Sequence, residues 1–200
     1  MKKKLTKIGI VIMSSFILMV ISFIALFIYF SVVPVKVNDI NKYLETDGLK
    51  SSYVFFPESI DDDYDVIEYH YYDYRLINGS EIILSIKYDD VLFVEEFDRL
   101  NSLKHSVNDH EPKALVKDEN KKLFNYYTFV AEYQPQYKQF EYACFDFDNK
   151  IVHYIRLDYI DIEYIGIDHS LLPKFYLDND EFYSQYYFNI YSGKLEYNWL

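Results

Sequence analysis

The chain has 200 residues, half of them apolar and a fifth aromatic, with a formal net charge of −12. Every one of the 32 acidic residues lies after Val37, while five of the 20 basic ones (Lys2, Lys3, Lys4, Lys7, Lys36) precede it, so residues 37–200 carry 15 bases against 32 acids, a net −17. That balance excludes the basic footprint of a nucleic-acid binder and disfavours docking on anionic lipid or on anionic wall polymers, and it leaves divalent ions, basic peptides or a basic protein face as charge-matched partners.

Residues 8–33 carry no charge and depart from apolar character only at Gly9, Ser14, Ser15, Ser22 and Ser31. As a helix rising ~1.5 Å per residue, the run is about 39 Å long, enough to span the hydrocarbon core with some tilt. Backbone groups in lipid must be satisfied internally, so such a run has to be helical. Tyr29 suits the interface, and Pro34 cannot continue the helix. The run exceeds the ~7–15-residue core of a signal peptide, and Ala25 is its only alanine, so an uncleaved signal-anchor is expected, with a cleaved peptide as the alternative. The lysines place a cytoplasmic basic tail at 1–7, a transmembrane helix at 8–33, a short linker at 34–36 and an extracytoplasmic domain at 37–200.

That domain is long enough to bury its own core. The sole cysteine, Cys144, cannot form an intrachain disulfide, which fits a bacterial surface better than a eukaryotic secretory route. With 23 tyrosines, 16 phenylalanines and only five glycines and five prolines, its composition favours strands over disorder.

In chain order, Val37–Leu44 reads as a short helix capped by Asn38 or Asp39. Tyr53–Phe56 reads as an edge strand or extended entry before Pro57. Asp61, Asp62, Asp63 and Asp65 form an acidic turn without the glycine and closing glutamate of a calcium loop. Val66–Leu76 alternates as a strand, with Val66, Glu68, His70, Tyr72 and Tyr74 on one face. Asn78-Gly79 suggests a tight hairpin, and Glu81–Tyr88 returns with Ile82, Leu84 and Ile86 inward and Glu81, Ser85 and Lys87 outward. Asp89 or Asp90 caps a helix to about Lys104, with Leu92, Phe93, Phe97, Leu100 and Leu103 on the packed face and Glu95, Glu96, Asp98 and Arg99 on the other.

His105–Lys122 reads as a long surface connection. Its His105, Asp109, His110 and Glu111 match no zinc framework. Leu123–Tyr133 is strand-like, and Phe140–Phe147 with Ile151–Ile160 makes a hairpin around Asp148-Asn149-Lys150. Cys144, His70 and His153 fall within strands, where they read as sheet residues. Asp158–Ile165 alternates again, which places the carboxylates of Asp161 and Glu163 on one face ~7 Å apart, within range for acid–base work. Leu171-Leu172-Pro173 breaks the sheet. Phe182–Tyr187 is open between helix and strand, and Ile190–Tyr197 reads as a last hairpin. The fold class expected is α+β: one transmembrane helix, then a mainly antiparallel sheet with one or two packed helices.

There is no phosphate-cradling glycine loop and no G-x-S-x-G elbow, and neither a catalytic, a cofactor nor a metal residue is assigned. The stretch Tyr53–Leu103, with FFPESI, the Tyr-rich strand, the hairpin, the Ile-Leu-Ile strand and the EEFDRLNSL helix, resembles uncharacterised signal-anchored or secreted proteins of low-GC Gram-positive bacteria. The resemblance implies an α+β fold and transfers no catalytic residue. The expected function is a non-enzymatic interaction module at the cell envelope. One alternative is a cell-envelope hydrolase using carboxylates such as Glu68, Asp161 and Glu163, and another is a sensor or immunity protein that meets a cationic peptide.

Overall fold

The computed structural model describes residues 2–43, 53–60, 64–105, 113–178 and 187–190. Helix α1 (Lys2–Val32) meets the rest of the protein near its C-terminal end, where Arg75 donates to Phe30 O. Over Ile12–Val32 it is long and apolar enough to cross a membrane, and none of that stretch is buried. Ser22 donates its hydroxyl to Leu18 O at 2.9 Å, so this polar group is satisfied inside the helix. Pro34 stops the helix. The expected linker at 34–36 gives way to structure: Val35–Val37 forms β1, with Val35 opposite Asp73 and Val37 opposite Tyr71. A residue before proline is pushed to extended backbone, and Val-Lys-Val suits a strand, so the chain passes from α1 into the sheet at once.

The sheet is built from β2 (Asp65–Tyr74), β3 (Gly79–Lys87), β6 (Val116–Asp118), β7 (Tyr127–Gln134), β8 (Gln139–Asp146), β9 (Ile151–Asp158) and β10 (Phe188–Asn189), together with β1. Its order is β1-β2-β3-β9-β8-β7, and the outer edge of β7 is shared by β6 and β10. All pairings are antiparallel. Lys104–His105 (β4) and Lys113–Ala114 (β5) pair separately. Helices α2 (Asp90–Ser102) and α3 (Lys174–Asp178) complete the α+β fold.

Two layers cover the sheet. On one face α2 presses Phe93 and Phe97 onto Phe145 (ring centroids 5.5 and 5.3 Å), and Phe97 also meets Phe129 at 5.5 Å. Asp89 starts this helix by accepting from Val91 N and Leu92 N, both at 2.9 Å, as the sequence suggests. The opposite face is covered without a long helix. Leu123, Phe124, Ile160, Ile167, Leu171 and Leu172 come from coil and 3-10 turns and are nearly inaccessible. Phe124 packs on Tyr142 at 4.5 Å, and Tyr176 on Phe140 at 5.4 Å.

This second layer overturns the expected outward reading of Glu81 and Ser85, which are 1% and 0% exposed. Other corrections are local. A bulge between Val66 and Glu68 turns Val66 to the face opposite Glu68. The β2–β3 hairpin has a four-residue loop, because Tyr74 pairs with Gly79, and only Asn78 takes a positive φ (55°). Gly79 sits where space is tight: a Cβ there would lie 3.1 Å from Tyr159 O. Asp158–Ile165 is not a strand; β9 ends at Asp158, Tyr159 sits at φ 52°, and Ile162–Tyr164 is a 3-10 turn. Tyr53–Phe56 forms no strand, yet it buries Phe55 and Phe56. The connection 105–122 includes β6, and Leu123–Tyr133 becomes regular strand only at Tyr127. The expected short helix near Ile40 is a 3-10 turn, Ile40–Lys42, capped by Asp39. Asp61–Asp63, Asp109, His110, Glu111, Phe182–Tyr186 and the 191–197 part of the last hairpin lie outside the described residues.

Candidate functional site

Each face of the sheet holds one buried ionic cluster. Under the α2 layer, Arg156, Glu141 and Glu132 are cross-strand neighbours on β9, β8 and β7. A bulge between Val130 and Glu132 brings Glu132 into this row; regular alternation would turn it to the other face. Arg156 forks its guanidinium onto Asp158 (Nε to Oδ2 2.9 Å, Nη2 to Oδ1 2.6 Å). It also donates to Glu132 and reaches Glu141 at 3.7 Å, and its cation lies 5.4 Å from the Tyr53 ring centre. Glu141 Oε1 accepts from Val54 N at 2.7 Å and Phe55 N at 3.3 Å, which fastens the 53–60 segment onto the sheet. Glu132 further accepts from Gln134 and from Asn189 Nδ2. Burial pushes the Glu132 carboxyl up against the pull of Arg156, while burial opposes, and the carboxylates more than restore, the charge on Arg156.

On the other face, His70 lies between two carboxylates: Nδ1 is 3.5 Å from Glu68 and Nε2 is 3.5 Å from Glu81. Glu81 also accepts from Gly166 N at 2.9 and 3.0 Å. Tyr72 stacks on the imidazole at 4.4 Å. Burial pushes the His70 pKa down, but Glu68 and Glu81 outweigh it and raise it to about 9, so the ring is a cation at neutral pH.

Of the carboxylates considered for a hydrolase, Glu68 joins this His70 cluster. Asp161 and Glu163 lie on the 3-10 turn, where Asp161 pairs with Lys138. The turn breaks the two-residue strand spacing on which their acid–base pairing rested, and neither joins Glu68. Cys144 is fully buried beside Thr128, and burial pushes its thiol up to about 12, so it is an inert core residue as expected. Among the described residues no group of three or more His, Cys, Asp and Glu is arranged to hold a metal.

Two features escaped the sequence reading. One is Arg156 itself, a charge in the middle of an apolar strand, which is the available signal for a buried ion pair. The other is Ser85 Oγ, 2.8 Å from His153 Nδ1, an arrangement of nucleophile beside base. Ser85 is wholly inaccessible, and burial pulls His153 below its ordinary pKa, so the pair satisfies two buried polar groups. At the C-terminal end of β3, a shallow groove of about 330 Å³ is lined by Tyr64, Asp65, Lys87, Tyr88, Asp89 and Leu92. Comparison with protein-family profiles, curated proteins and solved structures finds no match.

Proposed function

We propose that the protein is a membrane-anchored, non-enzymatic interaction module of the cell envelope. In this reading α1 is an uncleaved signal-anchor, residues 1–7 stay inside and the acidic domain stands outside. One contrast carries it: over Ile12–Val32 the apolar side chains of α1 are not buried against any described residue, while the buried ionic groups of the domain pair with one another. The four lysines before the apolar run support the orientation. The groove lined by Tyr64 and Tyr88, carrying Asp65 and Asp89 against one cation, Lys87, supports contact with a partner that brings positive charge. A hydrolase is the second reading, favoured by the Ser85–His153 contact and opposed by the burial of Ser85.

Cysteine labelling in intact cells tests the reading. Cys144 is silent because it is buried. Val91→Cys should react with a membrane-impermeant maleimide, and Lys3→Cys only after lysis. The reverse pattern contradicts the orientation, and a mature N-terminus near Val35 contradicts the anchor. A fluorophosphonate probe should leave the protein unlabelled; labelling abolished by Ser85→Ala would establish the hydrolase.

A further inference from the structure

The end of the sheet that receives α1 carries a group of exposed apolar residues, while Ile67, Val91, Val94 and Phe147 are exposed elsewhere on the domain. β1 and β2 lie side by side there, and Arg75 of the β2–β3 loop donates Nη1 to Phe30 O at 2.9 Å. Lys36 sits over the Tyr72 ring at 4.6 Å. The helix is therefore held against the loop with no slack between them. Around this junction Leu76 is 68% exposed, Tyr159 49%, Tyr164 40% and Ile162 37%. They belong together: Tyr74 donates its hydroxyl to Tyr164 O at 2.7 Å, and Gly79 abuts the Tyr159 carbonyl. Tyr159 is held at φ 52°, a conformation uncommon for a bulky side chain. The hairpin tip carries Leu76 and Ile77 ahead of the turn residue Asn78. The acids collect at the other end, where Asp65, Asp89, Asp90, Asp146 and Asp148 lie at strand or helix termini. At the α1 end, Asp161 is paired with Lys138, Asp73 lies opposite Val35, and Glu163 is exposed between Ile162 and Tyr164.

We infer that this end is a membrane seat: Leu76, Ile77, Tyr159, Ile162 and Tyr164 rest in the headgroup–acyl boundary of the bilayer that α1 enters. The inference rests on the membrane-anchor reading and adds that the domain is held upright against the lipid, not tethered loosely above it. Amphipathic tyrosines suit that depth, and Leu76 at the hairpin tip is the most exposed of the five. The contact is apolar and aromatic, so it needs no particular headgroup. An upright seat also presents the Tyr64–Tyr88 groove, at the far end of β2 and β3, away from the membrane.

The test uses the full chain in phosphatidylcholine vesicles, with and without lipids brominated high on the acyl chain. An environment-sensitive fluorophore is placed singly at Phe23→Cys, Leu76→Cys, Ile162→Cys and Val91→Cys. Expected are strong quenching at 23, clear quenching at 76 and 162, and none at 91. Quenching at 23 with 76 and 162 no different from 91 overturns the seat and leaves the anchor standing. Quenching at 91 equal to that at 76 also overturns it, because the domain then lies flat. No quenching at 23 overturns the anchor and the seat together.

Discussion

The two faces of the sheet bury charge by different means. Under α2, the positive partner is Arg156, whose charge no accessible pH removes, held by Glu132, Glu141 and Asp158. Under the coil layer, the positive partner is His70, between Glu68 and Glu81. Both arrangements satisfy acids that the apolar layers would otherwise strand. Only the second loses its cation as pH rises, so the faces should respond differently to alkali.

The largest effect should come from Arg156→Met. It leaves three carboxylates without their cation and should destabilise the full chain in detergent by about 3–5 kcal/mol in chemical denaturation. A loss below about 1 kcal/mol, the scale of an exposed pair, would show that the cluster is solvated. Next is Glu96→Ala. The helix phase suggests a solvent-facing residue, but Glu96 accepts from Tyr154 Oη at 2.6 Å and is gripped by Arg99, which also donates to Phe55 O at 2.9 Å. Its loss should cost about 1–3 kcal/mol. On the coil-covered face, Gly166→Ala would bring a Cβ to 3.0 Å from Glu81 and 3.2 Å from the Tyr72 ring. It should cost about 1–2 kcal/mol and disturb His70 as well. Val91→Ser on the exposed side of α2 should change stability by no more than about 0.5 kcal/mol and serves as the control.

The helix-covered face was legible in the sequence because its signals are local. Asp89 caps, Phe93, Phe97 and Leu100 recur at helical spacing, and the β8–β9 hairpin turns on Asp148-Asn149-Lys150. The coil-covered face was not, because Ile160, Ile165, Ile167 and Leu171 are buried at no regular period. Without that layer in view, Glu81 and Ser85 read as solvent-facing. Alternation at Asp161 and Glu163 imitated a strand, but the left-handed Tyr159 ends pairing before it. Neither ionic cluster was visible, since the bulges at Ile67 and Ala131 decide which side chains meet and leave no mark in the pattern.

The difference between the faces is tested most directly by the His70 imidazole resonance followed against pH in the full chain, assigned by its disappearance in His70→Gln. The two carboxylates predict titration near 9, raised from an ordinary 6.5. Because the folded value is raised, the stabilisation is complete below pH 6.5 and is lost as pH rises through about 9. It amounts to about 3 kcal/mol at most and is absent in His70→Gln. A titration at or below 6.5, with no alkaline loss of stability before the tyrosines ionise, would contradict the account.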